Sequence, residues 1–335
     1  MRTHLVGRFL DFVIDPRMPH NFIATWLRSR EPRRIMSRRT ASLGYRILVA
    51  LTFDVEQDYN GDGREESASS VSSFLTNVQD VVDEATIFAE GGLVEANSEQ
   101  LRSLEKRGFE IGLHGYRHEL WGSPQWYLHD KPVPNEGRNS LLKDSLRAFR
   151  TSRLHRPTVF RAPSLVADDL TIRLLVANGF GVDSSLPSHR GVWPIPQFIG
   201  GADGLVRIPV SADPVPSLSR KTVFPYYRFR VCNLKTLKEM SEKEFLEYAT
   251  RIATLQEALG FPPHLVLLSH SWEFSESLSD RKDYTYRSIT NFEFMNDLLC
   301  FLSKNFSVKQ TSITKLAAIL RESYGDLSRE GMWVR

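Results

Sequence analysis

Short apolar runs alternate with amphipathic stretches from residue 46 onward, which indicates strands and helices in turn. The predicted strands are short apolar runs between polar or glycine residues: Ile47–Phe53, Ala85–Ala89, Phe109–Leu113, Thr158–Arg161, Phe180–Asp183, Leu205–Val210 and His264–Ser269. The predicted helices mostly repeat apolar residues at helical spacing: 70–84, Ser98–Arg107, 138–151, Asp168–Asn178, Ser241–Leu259, Thr290–Ser303 and Thr311–Glu322. Such alternation predicts an α/β fold with a parallel sheet covered by helices.

With about seven strand–helix repeats, closure of the sheet into a barrel is the economical solution. Catalytic residues of such barrels lie where the strands end at their carboxyl side. Five ionisable residues stand at or just after predicted strand ends: Asp54, His114, Arg161, Asp183 and His270. We therefore expect their side chains to converge on one mouth of a domain that spans residues 46–325.

Residues 1–45 are predicted to form a basic N-terminal extension. Ten arginines and only three acidic residues fall within residues 1–46, although the net charge of the whole chain is only +3. Asp15-Pro16, Glu31-Pro32 and the arginine pairs are expected to interrupt any long regular element, apart from a short amphipathic piece at 22–27. Two interpretations stay open: an arm that docks on a membrane surface or a protein partner, and an extension packed on the body.

The overall composition excludes several classes of partner. A net charge of +3 gives no reason to expect a nucleic-acid partner. No apolar run is long enough for a transmembrane segment, and no signal peptide is recognised, so we expect a cytoplasmic protein. The sequence leaves open whether the chain forms a homo-oligomer.

Two groups of residues have the types and spacing of metal ligands. His114 and His118 are four residues apart after a predicted strand, and imidazole nitrogens bind Zn, Co, Ni or Fe. Asp54, Glu56 and Asp58 alternate after the first strand, so an extended backbone would point all three the same way. One carboxylate is expected to bind the metal while another stays free as a base.

Two further segments supply a cation and a proton donor. Arg161 at a buried strand end requires carboxylate partners, and Asp54 and Asp183 are the natural ones. His270 ends the strand that begins at His264, and it is a candidate proton donor, although a structural histidine in the core is the alternative. Trp121 and Trp272 are large aromatic residues that could stack on a sugar.

In this order along the chain, the segments resemble the polysaccharide deacetylases, the family-4 carbohydrate esterases, over about residues 46–320. The resemblance implies the family's distorted (β/α)7 barrel. Thr52-Phe53-Asp54 is similar to the family's Thr-Phe-Asp-Asp motif, which makes Asp54 the catalytic base. The pair His114 and His118 corresponds to the family's two metal-binding histidines.

The resemblance assigns roles at the later strand ends as well. Arg161-Ala162-Pro163 is similar to the family's Arg-x-Pro motif, in which the arginine orients the base. His270 corresponds to the general acid of the Leu-x-His motif, and Asp183 to an acid that tethers the catalytic machinery. Ser164 stands where the family has tyrosine, and its backbone N–H is expected to contact the oxyanion.

The chain also departs from the family at two positions beside the predicted metal site. Val55 replaces the aspartate that is the usual metal ligand. In one branch of the family, similar to peptidoglycan-deacetylase-like and allantoinase-like enzymes, the motif is Asp-Val-Asp or Asp-Val-Glu and the ligand lies two residues after the base. This resemblance makes Glu56 the expected ligand, with Asp58 as the fallback. Gly115 replaces the serine or threonine that usually follows the first histidine.

The resemblance implies a metal-dependent hydrolase that removes an N-acetyl group from a glycan or another sugar-containing substrate. Its cofactor would be a divalent metal, zinc first, with Co, Ni, Fe or Mn as alternatives. Two other functions stay open. One is a ureide or cyclic-amide hydrolase that acts on a small amide with the same scaffold, and the other is a non-catalytic glycan-binding relative.

Overall fold

The computed structural model describes residues 2–37, 46–57, 64–123, 125–128, 130–201, 203–219, 224–276 and 286–329. Its strands follow in chain order: β1 (Arg46–Val55), β2 (Thr86–Ala89), β3 (Glu110–Leu113), β4 (Val159–Phe160), β5 (Val182–Asp183), β6 (Gln197–Ile199), β7 (Leu205–Arg207), β8 (Ser217–Ser219), β9 (Tyr226–Arg228), β10 (His264–His270) and β11 (Ser307–Gln310). Its helices are α1 (Arg2–Ile14), α2 (Phe22–Met36), α3 (Arg64–Asn77), α4 (Gly91–Val94), α5 (Ser98–Lys106), α6 (Asn135–Thr151), α7 (Asp169–Ala177), α8 (Leu234–Lys238), α9 (Glu242–Ala258), α10 (Asn291–Asn305) and α11 (Ile313–Arg329).

The main sheet is parallel except at one edge. Its strand order is β10-β1-β2-β3-β4-β5-β7-β6, in which only β6 runs antiparallel to its neighbour, and β11 pairs in parallel with the beginning of β1. Beyond β7, the Ser211 N–H donates to the Val266 carbonyl of β10 at 3.0 Å, which brings the two ends of the parallel path together. The predicted α/β fold class is confirmed.

Strand β1 runs through the middle of the molecule and positions the first site residues. All of its residues after Arg46 are buried, as expected for a parallel strand covered on both faces. Its register pairs Asp54 with His270 of β10, so the two candidate catalytic residues end neighbouring strands. Val55 belongs to the hydrophobic core, whereas Asp54 and Glu56 on either side of it face the opposite way, toward the mouth.

Helix α9 shows how local sequence fixes an element boundary. Ser241 accepts a hydrogen bond from the Glu244 N–H, and the Glu244 carboxylate accepts one from the Ser241 N–H. This reciprocal capping satisfies two backbone donors at the beginning of the helix. The predicted beginning at Ser241 and end near Leu259 are confirmed to within one residue.

The predicted interruption at Asp15-Pro16 is confirmed, because α1 is a helix of 13 residues that ends at Ile14, but the one at Glu31-Pro32 is wrong, because α2 is a regular helix of 15 residues. Pro16 does follow the end of α1, but Pro32 lies inside α2, where it is buried against the body. Proline lowers helix propensity, and tertiary packing outweighs that local preference here. Within the described ranges, no helix combines the length and apolarity needed to cross a membrane.

Candidate active site

Glu56, His114 and His118 bring three ligand-type atoms together at the mouth. The Glu56 carboxylate follows β1, and its Oε2 lies 3.2 Å from His114 Nε2 and 3.1 Å from His118 Nε2. The ligand atoms of the three side chains all lie within 4.8 Å of one another, which suits a single metal ion. Asp58, the alternative carboxylate, lies outside the described residues.

The imidazole of His114 is already oriented to bind a metal ion through Nε2. Its Nδ1 lies 3.0 Å from the Arg161 carbonyl oxygen, so Nδ1–H donates to this backbone acceptor and Nε2 faces Glu56. Metal-binding histidines commonly use one nitrogen for such an outer contact, which fixes the tautomer and the ring plane. Two imidazoles and one carboxylate are a donor set that suits a catalytic divalent metal.

The electrostatics of the cluster favour an ionised carboxylate. Burial alone would raise the pKa of Glu56, but hydrogen bonds with His114 and His118 hold it well below its usual value. Burial lowers the pKa of His118, and the contact with Glu56 outweighs it and raises that pKa. Protons on the histidines therefore compete with a metal for the same atoms.

Asp54 is held beside this cluster by Arg161, as the sequence predicted for that pair. Arg161 is fully buried, and its Nη1 donates to Asp54 Oδ1 at 2.7 Å and to Thr52 Oγ1 at 2.8 Å. The other Asp54 oxygen lies 3.8 Å from His114 Nε2. The guanidinium thus fixes one oxygen and leaves the second facing the metal-type cluster.

His270 completes the mouth from the end of β10. Its ring stacks on Trp272 with centroids 4.7 Å apart, and its Nδ1 lies 3.6 Å from Glu273 Oε1. Burial would lower the pKa of His270, but the carboxylates of Glu273, Glu56 and Asp54 raise it to about 9. Trp272 also donates from Nε1 to Glu56 Oε1 at 3.0 Å, so it supports the carboxylate as well as the imidazole.

Asp183 has a different partner from the one expected. Its Oδ2 accepts from Arg207 Nε at 2.7 Å, and its Oδ1 accepts from Ser185. Arg161 reaches the same strand through Ser184, whose Oγ accepts from Nη2 at 3.0 Å. Asp183 therefore anchors the end of β5 to β7, and the Arg161 guanidinium has Asp54 as its carboxylate partner among the described residues.

An open cleft of about 450 Å³ surrounds these residues. Ser164 and Trp272 line it, whereas Trp121 is fully buried and packs edge-on against Phe160, which makes it part of the core instead of a substrate surface. Ser164 and Leu165 both have φ of 55°, a left-handed conformation that costs energy in non-glycine residues. Strain of this kind beside a cleft is typical of functional sites.

One wall of the cleft includes a residue from outside the predicted catalytic domain. Arg17, just after α1, lines the cleft together with Tyr127 and His189. Its guanidinium lies 5.0 Å above the Tyr127 ring, and it bonds to Asp15, which is itself completely buried. Sequence reasoning missed this wall, because nothing in the local pattern around Arg17 indicates which surface the extension covers.

Comparison with known proteins confirms the resemblance. Residues 45–182 match the family described as polysaccharide deacetylase. A peptidoglycan deacetylase-like protein of Gibberella zeae, FGM2, is 29% identical over 164 residues, which cover 43% of this chain and 44% of the relative. The peptidoglycan deacetylase of Helicobacter pylori is 30% identical over 118 residues, 35% of this chain and 36% of the relative. The matches thus span less than half of either relative.

Solved structures support the fold. A Mycobacterium smegmatis protein assigned to the polysaccharide deacetylases superimposes with a TM-score of 0.54 at 22% identity, over 83% of this chain and 91% of that one. A 4-alpha-glucanotransferase from Thermococcus litoralis gives 0.52 at 15% identity, over 81% of this chain and 40% of that one. Since two different activities share this architecture, the reaction has to be inferred from the site residues.

Proposed function

Because residues 45–182 match the polysaccharide deacetylase family, we propose that this chain is a metal-dependent hydrolase that removes an acetyl group from an N-acetylated sugar. One observation carries the proposal. Glu56, His114 and His118 converge as a metal-type donor set, with Asp54 held beside them by Arg161. A binding protein would have no need to bury a free carboxylate oxygen next to such a cluster.

Glu56, His114 and His118 would hold the metal, and a divalent ion there supplies a Lewis acid that makes water a better nucleophile. Asp54 takes the proton from the attacking water through the oxygen that Arg161 leaves free. The Arg161 guanidinium keeps this base oriented. Zinc suits the two imidazoles and one carboxylate, and Co, Ni, Fe or Mn are the alternatives.

His270 is placed to protonate the leaving amine, which is a poor leaving group without a proton. Burial opposes a charge on this imidazole, but the Glu273 carboxylate beside it favours the protonated form and raises its pKa, so a proton is available. The balanced reaction consumes one water and yields acetate and a free amine on the sugar. The Ser164 backbone lies at the same cleft and is the proposed contact of the oxyanion.

The wall formed by Arg17, Tyr127 and His189 is the proposed contact surface for the rest of the substrate. Tyr127 Oη lies 2.8 Å from His189 Nε2, and burial with the nearby charges of Arg17 and Arg190 lowers the pKa of His189 to about 3. The wall therefore offers a neutral imidazole, a phenol and a guanidinium, which suit sugar hydroxyls. Trp272 also lines this cleft.

Elemental analysis of the purified protein, combined with acetate release from a panel of N-acetylated sugars, tests the proposal. We expect about one metal per chain and release of acetate, with both lost in His114→Ala/His118→Ala. The matched control is His155→Ala, an exposed histidine outside the cleft. A metal bound without acetate release would favour ureide or cyclic-amide substrates, and a protein without metal would contradict the assignment.

A further inference from the structure

Helix α1 has its polar and apolar faces reversed relative to an ordinary surface helix. Two of its polar residues turn toward the body: Arg8 donates to the Trp126 carbonyl, and Asp11 accepts from the Trp126 N–H and from Arg190. Five apolar residues face outward at helical spacing: Val6, Phe9, Leu10, Val13 and Ile14. Phe9 is 65% exposed and Ile14 67%, so this face has no cover within the described chain.

Helix α2 also exposes apolar side chains, and it adds positive charge. Its outward residues Ile23 and Leu27 are followed at helical spacing by Arg30 and Arg34, and Ile23 is 71% exposed. The Arg30 guanidinium lies 5.1 Å from the ring of the exposed Trp26. Nine of the fourteen large apolar side chains that the structure shows as exposed belong to these two helices, including Phe12, which packs edge-on against Trp126. The exposed apolar area is therefore concentrated on α1 and α2, and their outward residues are called the patch below.

We propose that α1 and α2 dock the protein on a lipid bilayer that carries anionic headgroups. The apolar face of α1 would enter the interfacial layer, with Trp26 at headgroup level. Four exposed arginines along α2 match an anionic surface: Arg28, Arg30, Arg33 and Arg34. Glu31 is the one exposed acid within that helix.

A second copy of the chain fits this patch less well. A twofold dimer places the same surface against itself, so the α2 arginines of both copies would be gathered at one interface. Like charges at such an interface oppose association, whereas anionic headgroups neutralise them. The inference concerns binding to lipid and does not depend on the proposed hydrolysis.

Flotation with vesicles tests the docking surface on the full-length protein. We expect binding to vesicles of phosphatidylcholine with phosphatidylglycerol, much weaker binding to phosphatidylcholine alone, and release by salt. Phe9→Gln/Leu10→Gln removes apolar area while keeping good helix formers, and it should lower the partition coefficient about tenfold or more. Val176→Gln/Ile289→Gln, at exposed apolar positions outside the patch, is the matched control and should bind like wild type.

A second variant keeps the test independent of the folding of α1. Arg30→Gln/Arg34→Gln should weaken binding to the anionic vesicles and flatten its salt dependence. Wild-type protein that stays unbound at low salt, or Phe9→Gln/Leu10→Gln that binds equally well, would overturn the proposal. A dimer in solution that this variant abolishes, without flotation of the wild type, would assign the patch to a second copy instead.

Docking has one consequence that rests on the proposed function. Arg17 lies three residues after the end of α1 and lines the cleft, so the docked arm would hold the cleft close to the lipid surface. A vesicle-borne N-acetylated glycolipid should then be cleaved faster than its soluble headgroup, and Phe9→Gln/Leu10→Gln should lose only this preference. Equal rates would contradict the consequence, whereas failure of wild type on both substrates would count against the hydrolysis and leave docking untouched.

Discussion

The barrel and the N-terminal arm, defined as α1, α2 and the turn between them, distribute polarity in opposite ways. The barrel buries its apolar residues and gathers charged ones at the mouth, where the buried side chains of Arg161 and Asp54 form an ion pair beside the cleft. The arm turns charged residues such as Asp11 inward and leaves Phe9 and Leu10 outside. The barrel thus uses burial for chemistry, whereas the arm uses ion pairs for attachment and keeps its apolar area for another surface.

The largest expected effect is on the catalytic activity of the barrel. Asp54→Asn preserves the shape of the side chain but removes the proposed base, so kcat should fall by about 10²–10⁴-fold. Metal content, measured by elemental analysis, should stay unchanged, because Glu56, His114 and His118 are intact. Asp144→Asn, at an exposed ion pair on α6, is the control and should keep full activity. A nearly active Asp54→Asn enzyme would contradict the assignment of the base.

A smaller effect is expected on the stability of the arm relative to that of the barrel. Asp15 is buried and accepts from Arg17 and from Trp126 Nε1, so Asp15→Asn should loosen the arm by about 1–3 kcal/mol. Hydrogen exchange should quicken in α1 and α2 while β1 stays protected. Glu31→Gln, at an exposed pair with Arg34, should leave exchange unchanged. Equal loosening of arm and barrel would show that they unfold as one unit.

The pH dependence of this attachment has a defined sign. Burial opposes ionisation of Asp15, but hydrogen bonds from Arg17 and Trp126 lower its pKa to about 2, below the ordinary 3.8. A lowered carboxyl pKa stabilises the folded arm above about pH 4, and this stabilisation disappears as the pH falls through about 2. Faster exchange in the arm at acid pH should therefore be weaker in Asp15→Asn than in wild type.

A further pH effect lies at the border of the two regions. Burial lowers the pKa of His189 to about 3 from an ordinary 6.5, so the folded state disfavours its protonation. Its contribution to stability is complete above about pH 6.5 and is lost as the pH falls toward 3. His189→Gln should flatten this part of the stability–pH curve, measured by urea unfolding. An unchanged slope would show that the imidazole is accessible to water.

Sequence pattern predicted the barrel well because its strands are buried on both faces and end in ionisable residues. The approach of His114 to the carboxylates at the end of β1 also followed, since strand ends of a parallel sheet share one mouth, whereas the choice of Glu56 as the ligand rested on the family resemblance. The partner of Asp183 and the burial of Trp121 did not, because the choice among nearby partners depends on tertiary distances. The helices of the arm were missed for a related reason: Pro32 argues against a helix locally, and packing on the body decides.

Arg161 contacts the proposed base with its side chain and a proposed metal ligand with its backbone. Its guanidinium binds Asp54, and its backbone carbonyl accepts from His114 Nδ1. One residue thereby sets the spacing between base and ligand, so a small movement of β4 would carry both together and preserve their separation. The distance between base and ligand should therefore tolerate small movements of the strands. A change confined to the Arg161 side chain would misplace Asp54 but leave the His114 imidazole in position.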